Sequence, residues 1–117
     1  GADMILLPSK FEPCGMVQME AMRYGCVPVA RAVGGLADTV EDGKTGYTFK
    51  EFNTLSFYGA MVRAFELYKD SKRWKEMVIN CMKADFSWTS SARKYEELYI
   101  RVLGLKRQRE EAKTHAL

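Results

Sequence analysis

The chain has 117 residues, enough for one small domain with a hydrophobic core and too few for two domains of ordinary size. Hydrophobic residues make up 47% and charged residues 28%, which is typical of a globular protein and not of a disordered or membrane chain. The net charge of +3 is modest. Basic residues near the carboxyl end have no interleaved aromatic residues, which favours a solvated helix end over a nucleic-acid site; they are Lys106, Arg107, Arg109 and Lys113.

The first predicted elements are a strand, a loop and a helix. Residues 4–7 form a short apolar run closed by a proline, which predicts a strand buried on both faces. Residues 10–13 then form a loop. From residue 15 to residue 24, methionines recur at near-helical spacing, and Gly25 supplies a natural helix stop.

The next elements repeat this alternation. Residues 26–30 predict a second strand, Gly34 and Gly35 open a turn, and residues 36–40 predict a short helix. A run of turn formers precedes a third strand at residues 47–49. Strands and helices alternating at such short intervals predict an α/β fold with parallel strands, forming part of a doubly wound sheet.

After residue 53 the pattern becomes helical. Two apolar stripes predict helices that pack against the core, one formed by Leu55, Tyr58, Met61, Val62, Phe65 and Tyr68, the other by Trp74, Met77, Val78, Cys81 and Met82. A last helix is predicted to begin between residues 87 and 91 and to end at Gly104. One of its faces carries Ala92, Tyr95, Leu98, Tyr99 and Val102.

Residues 11–20 carry the most informative chemistry, because a strand leads into a tight loop whose glycine opens a helix. The first amides of a helix lack intrahelical partners, and they lie at the positive end of its dipole. We therefore expect a diphosphate to bind the backbone N–H groups of Cys14, Gly15, Met16 and Val17. Because it has no side chain, Gly15 allows close approach.

Two carboxylates flank this loop. Glu12 precedes the predicted helix, where it would face the group attached to the phosphate, and Glu20 lies within the helix, within reach of a ribose hydroxyl. The alternative is structural: Glu12 is then a loop carboxylate favoured by the helix dipole, and Glu20 a solvated helix residue. Gly34 and Gly35 also follow a strand, and they either line the same crevice or form a plain turn.

Three cysteines, Cys14, Cys26 and Cys81, show neither metal-site spacing nor an even number for a disulfide framework. A reducing compartment is the simpler expectation. The chain begins at Gly1 without an initiator methionine, and we expect it to be a piece of a longer protein.

Several motifs together closely resemble the carboxy-terminal region of glycogen and starch synthases, which are retaining glycosyltransferases of family 5. The order and spacing of the motifs match as well as their residues. They are Gly1-Ala2-Asp3-Met4, Pro8-Ser9-Lys10-Phe11-Glu12-Pro13-Cys14-Gly15, Ala21-Met22-Arg23-Tyr24-Gly25, Gly34-Gly35-Leu36-Ala37-Asp38-Thr39-Val40, Thr45-Gly46-Tyr47-Thr48-Phe49 and Phe86-Ser87-Trp88-Thr89-Ser90-Ser91-Ala92.

The resemblance implies a two-domain GT-B enzyme that transfers glucose from ADP-glucose or UDP-glucose to the non-reducing end of an α-1,4-glucan, with retention. It implies no metal, no other cofactor and no nucleic-acid or membrane partner, and it places the chain in the cytoplasm, or in the plastid stroma of a plant or alga. Residues 1–103 would be part of the carboxy-terminal nucleotide-sugar-binding domain, which is Rossmann-like, and residues 104–117 a basic tail. The amino-terminal domain of the same protein would be the missing partner.

By the same resemblance, Glu12 is the catalytic glutamate beside the donor glucose, Gly15, Met16 and Val17 form the diphosphate turn, and Cys14 matches the family cysteine without a chemical role. Glu20 matches a glutamate that related retaining enzymes place at the ribose, although many glycogen and starch synthases lack it. Two alternatives stay open: another retaining transferase, such as a sucrose, trehalose or lipid-sugar synthase, and a non-catalytic nucleotide-binding module.

Overall fold

The computed structural model describes the backbone of residues 1–115 and the side chains of residues 1–110. Within these residues, three parallel strands form one sheet in the order β1-β2-β3. In chain order the elements are β1 (Met4–Leu7), α1 (Val17–Arg23), β2 (Val27–Arg31), α2 (Gly35–Thr39), β3 (Tyr47–Phe49), α3 (Thr54–Tyr68), α4 (Ser71–Lys83) and α5 (Trp88–His115). The predicted α/β alternation is confirmed, and the predicted bounds of α1, β2 and α2 differ from these by one or two residues.

The central strand β2 contains a proline, which usually marks an edge. The amide of Val27 donates to Asp3 on the β1 side, and residues of a parallel strand alternate between their two neighbours. The nitrogen of Pro28 therefore faces the β3 side, where pairing begins only at Val29 opposite Tyr47. The missing N–H breaks no ladder bond, so proline is tolerated here.

The core divides between the two faces of β2, because successive side chains of a strand point in opposite directions. Val27 and Val29 pack towards α3 and α4, and Ala30 packs towards α2. The buried apolar residues on the first side are Met22, Leu67, Trp74, Met77, Cys81, Phe49, Ala60 and Ala64, and those on the second side are Leu36 and Val40.

The prediction for α3 was wrong about which face is buried. Of its predicted stripe, Met61 is half-buried, whereas Phe65 is 59% and Tyr58 58% exposed. The buried positions are Ala60, Ala64 and Leu67. Small alanines let the helix approach β2 and β3 closely. Phe65 and Tyr68 instead line an open cavity beside Met4 and Leu6 of β1, which leaves them exposed. For α4 the predicted stripe is confirmed at all its positions except Met82, which is exposed.

Residues from Asp85 onward form a second compact unit, in which the Ser87 hydroxyl accepts from the amide of Ser90 and caps α5. The prediction that Gly104 ends this helix was wrong, since α5 continues to His115. Glycine in a helix interior is unfavourable but tolerated. The side chain of Lys113 and residues 116 and 117 lie outside the described residues, and the division at residues 103 and 104 stays a prediction. In the part of the chain that the structure describes, no helix is long and apolar enough to cross a membrane.

Candidate functional site

Two turns follow the carboxyl ends of neighbouring parallel strands. Residues 12–17, the Gly15 turn, lead from the β1 side into α1, and residues 33–36, the Gly34 turn, lead from β2 into α2. Because β1 and β2 are parallel and paired, both turns lie beyond the carboxyl-terminal edge of the sheet. That edge is where open α/β sheets bind ligands.

The two turns are in direct contact. The amide of Gly35 donates to the carbonyl oxygen of Glu12 at 3.2 Å. A Cβ atom on Gly34 would overlap that same oxygen, and one on Gly35 would overlap the carbonyl oxygen of Cys14. Gly34 also has a φ of 48°, which side chains rarely adopt. Gly34 and Gly35 are therefore required because the two backbones pack closely together. Neither interpretation of the sequence, a crevice lining or a plain turn, included this packing.

The Gly15 turn is closed by a buried side chain that the sequence analysis did not single out. Gln18 is 0% exposed, and its Nε2 donates to the carbonyl oxygen of Gly15 at 2.6 Å and to Oγ1 of Thr39 at 3.0 Å. Gly15 has a φ of 66°, and a Cβ there would lie 2.7 Å from Oε1 of Gln18. A glycine is thus needed for the backbone conformation and for the space that the glutamine occupies.

The backbone amides of the Gly15 turn are available to bind a ligand. Among the described residues, the N–H groups of Gly15, Met16 and Val17 donate to no protein acceptor. Met16 is 61% and Val17 53% exposed, so this part of the turn lies at the surface. Unpaired amides at a turn are ready donors to an anion.

The carboxylates of Glu12 and Glu20 are also available to bind a ligand. Glu12 is half-buried in the Gly15 turn, and Glu20 is exposed in the first turn of α1. Within the described part of the chain, neither carboxylate takes part in a hydrogen bond or ion pair. The structure brings Glu12, Cys14, Gly34 and Gly35 together, whereas no hydrogen bond or ion pair among the described residues joins the side chain of Glu20 to them.

Arg31, which the sequence analysis also did not single out, binds the start of the loop that follows β1. Nη1 of Arg31 donates to the carbonyl oxygens of Lys10 at 2.7 Å and Ser9 at 3.3 Å, and Nε donates to that of Lys50 at 3.1 Å. The guanidinium also lies 5.1 Å from the centre of the Phe52 ring. Arg31 therefore ties the segments that follow β1 and β3 to the end of β2.

The groups with shifted pKa values lie away from these turns. Burial, reinforced by the charge of Cys26, raises the pKa of the Cys81 thiol to about 11. Burial acts to raise the pKa of Asp42, but hydrogen bonds from Arg63 and Thr48 outweigh it and leave that pKa below its usual value. Among the residues that the structure describes, no group of three histidine, cysteine or acidic side chains is placed to hold a metal ion.

Residues 1–80 match the family model of the glycosyl transferases group 1. The chain belongs to this family. The matched residues include the Gly15 turn, the Gly34 turn and both glutamates, so the candidate site lies entirely within the part that identifies this glycosyl transferase chain.

Curated relatives and solved structures show which members of this family the chain is similar to. The chain is 47% identical over 104 residues to the glycogen synthase of Thermodesulfovibrio yellowstonii, covering 89% of this chain and 21% of that protein. It is 47% identical, with a TM-score of 0.74, to the catalytic domain of starch synthase IV from Arabidopsis thaliana bound to ADP and acarbose, covering 85% of this chain and 22% of that one. The resemblance to glycogen and starch synthases is confirmed.

The sucrose-phosphate synthase of Thermosynechococcus elongatus is also similar, with 29% identity and a TM-score of 0.64 over 89% of this chain and 26% of that one. The predicted α/β fold class is therefore confirmed by the similarity to these solved synthases. The chain spans about a fifth of the length of the glycogen synthase that it matches.

Proposed function

We propose that the chain forms the donor-binding side of a glycogen or starch synthase of the two-domain GT-B type. The whole enzyme transfers glucose from ADP-glucose or UDP-glucose to the non-reducing end of an α-1,4-glucan, with retention of the anomeric configuration. The observation that carries the proposal is the surface turn at Gly15, where amides and the flanking Glu12 and Glu20 carboxylates have no hydrogen-bond partner among the described residues. Its similarity to a starch synthase bound to ADP and acarbose supports the choice of ligands.

The amides of Cys14, Gly15, Met16 and Val17 bind the donor diphosphate. Helix α1 has only 7 residues, so its dipole is small and direct N–H donation supplies most of the attraction. The Gly34 turn supports this site from behind, because its backbone packs on the carbonyls of Glu12 and Cys14. Cys14 contributes its backbone and not its thiol.

Glu12 orients the donor glucose and stabilises the positive charge that develops at the anomeric carbon. As the glycosidic bond to phosphate breaks, the amides of the Gly15 turn hold the leaving diphosphate. Both effects are electrostatic preorganisation and require no covalent intermediate on Glu12. Glu20, one helical turn further along, accepts hydrogen bonds from ribose hydroxyls.

The remaining parts of the reaction belong to the rest of the whole protein. Its amino-terminal domain supplies the acceptor side of the cleft and the basic groups that neutralise the leaving diphosphate. The reaction takes place without a metal or other cofactor, in the cytoplasm or a plastid stroma. Nucleic acid and membrane are not partners.

Transfer of labelled glucose to glycogen tests this function. The whole protein that contains this chain is supplied with ADP-glucose and, separately, with UDP-glucose, and the chain alone serves as the comparison. We expect transfer by the whole protein only, and the faster reaction identifies the donor. Absence of transfer from either donor would contradict the proposal, whereas ADP binding without transfer would indicate a non-catalytic nucleotide-binding module.

Another retaining sugar-nucleotide transferase is the second candidate, favoured by the similarity to sucrose-phosphate synthase. Such an enzyme would use the same donor site with a different acceptor. Supplying fructose 6-phosphate in place of glycogen separates the two candidates. The motifs Cys14-Gly15 and Phe86-Ser87-Trp88 favour the glucan synthase.

A further inference from the structure

We propose that Gln18 is a positioning residue for the donor diphosphate, acting through the peptide between Gly15 and Met16. The inference rests on the proposed function, since it names the residue that orients the diphosphate turn. Gln18 does not touch the ligand, because its side chain is fully buried. Its effect on binding is transmitted by the carbonyl oxygen of Gly15.

A continuous chain of hydrogen bonds joins the two turns of the site. Both N–H bonds of the Gln18 amide are used, one to the carbonyl of Gly15 at 2.6 Å and one to Oγ1 of Thr39 at 3.0 Å. The Thr39 hydroxyl in turn donates to the carbonyl of Gly35 at 2.6 Å. One buried side chain therefore fixes the Gly15 turn relative to α2 and the Gly34 turn.

Peptide geometry turns this buried contact into an effect at the surface. The carbonyl and the N–H of a trans peptide point in opposite directions, and the peptide is planar. Since the carbonyl of Gly15 is held inward by Gln18, the N–H of Met16 is directed outward. Met16 is exposed, and this amide has no acceptor within the described residues. Gln18 thereby aims the donor that the proposed function assigns to the diphosphate.

Packing alone does not explain a glutamine at this position. Oε1 of Gln18 is buried and has no hydrogen-bond partner in the described structure, which is unfavourable for folding. An apolar side chain of similar volume would avoid that penalty while filling the same space. Only glutamine or asparagine offers two N–H donors on one neutral nitrogen, and only glutamine has this length. The two donated bonds are therefore the feature that the residue provides.

The test is ligand binding to the whole protein carrying Gln18→Met, which keeps the length of the side chain and removes both donors. ADP and adenosine are titrated by calorimetry, or UDP and uridine if the transfer assay selects UDP-glucose. We expect diphosphate affinity to fall about tenfold, the size of one charge-assisted hydrogen bond, with less than about a twofold change for the nucleoside. Gln108→Met, the same substitution at an exposed position of α5, serves as the matched control and leaves both affinities unchanged.

A second variant separates positioning from folding. Gln18→Glu keeps the shape but donates no hydrogen bond when ionised and one when protonated. We expect its diphosphate affinity to recover partly as pH falls, relative to the unsubstituted protein at each pH, while Gln18→Met shows no recovery. If Gln18→Met does not fold, Thr39→Val takes its place, with an expected loss of about threefold for the diphosphate alone.

Each outcome decides the matter. Equal weakening of the diphosphate and the nucleoside would show a purely structural role and overturn the inference. Unchanged diphosphate binding in a protein that transfers glucose would overturn the inference while leaving the proposed function intact. If the unsubstituted protein binds neither diphosphate, the proposed function fails and the inference fails with it.

Discussion

Gly34 and Gly35 allow the backbones of the two turns of the candidate site to approach one another closely. Any side chain there meets the backbone of the other turn and not a movable side chain, so the strain is not relieved by a rotamer change. Sequence reasoning identified Gly34 and Gly35 as crevice or turn residues. It gave no sign of the loop that they touch, because that contact joins segments about twenty residues apart.

Gly35→Ala is expected to destabilise the protein by about 3 kcal/mol or more, because both turns must separate to admit a methyl group. The matched control is Gly59→Ala in α3, where an added Cβ meets nothing within 4 Å. That change should stabilise the helix by about 0.5–1 kcal/mol. Urea unfolding of both variants measures the difference, and equal midpoints would contradict the packing described here.

Glu12 and Glu20 are predicted to affect different kinetic constants. Glu12→Ala should lower kcat about 100-fold or more with little change in nucleotide affinity, because its carboxylate acts on the developing charge. Glu20→Ala should weaken nucleotide binding about tenfold with kcat nearly unchanged. Steady-state kinetics and ADP titration of the whole protein check both expectations. Unchanged turnover in Glu12→Ala would refute its catalytic assignment.

The residues that the sequence analysis proposed for the site are those with a distinctive type, namely the glutamates and the glycines. Gln18 and Arg31 were missed because their roles depend on tertiary contacts with Thr39, Ser9 and Lys10. One signal was available for Gln18: it lies four residues before Met22 and therefore shares the buried face of α1. Nothing in the sequence marked Arg31.

Elements were predicted well where one pattern dominates. The buried strand β2 and the amphipathic helix α4 read clearly, and their positions are confirmed. The buried face of helix α3 was predicted wrongly because its bulky residues form a regular stripe, whereas the residues buried against Val29 and Phe49 are the smaller Ala60 and Ala64. The end of α5 was misplaced because a single glycine does not stop a helix.

The pKa of Cys81 in helix α4 makes the stability of the protein depend on pH, and this dependence reports on the burial of the thiol. The buried Cys81 thiol donates to the carbonyl oxygen of Thr45, and its pKa is raised from 9.0 to about 11, mainly by burial. The folded state thus keeps the proton while the unfolded chain loses it. The resulting stabilisation is complete below pH 9.0 and is lost as pH rises towards 11.

We therefore expect the urea midpoint to fall across that interval more steeply in the unsubstituted protein than in Cys81→Ala. Other groups titrate in the same range, so the difference between the two proteins is the quantity to compare. Cys14→Ala, which removes an exposed thiol, serves as the control and should retain the steep fall. Parallel curves for Cys81→Ala and the unsubstituted protein would contradict the effect of burial.

On the scale of the whole molecule, the described sheet leaves apolar surface uncovered. Among the described residues, β1 pairs with β2 alone, and Leu6 on β1 is 48% exposed. Tyr58 and Phe65 of α3 are also exposed. An open strand edge beside apolar side chains favours pairing with another chain.

The isolated chain is therefore expected to be marginally stable or to self-associate. Its thermal unfolding should begin below about 45 °C, or sedimentation should show concentration-dependent oligomers. Calorimetry and sedimentation equilibrium measure these properties. A sharp transition above about 65 °C in a monomer would contradict the expectation.

The proposed function depends above all on binding of the donor diphosphate by the Gly15 turn. The most direct measurement is a crystal structure of the whole protein with ADP. We expect diphosphate oxygens within hydrogen-bond distance of the amides of Met16 and Val17, with the ribose beside Glu20. A diphosphate bound elsewhere, with these amides still exposed to solvent, would contradict it.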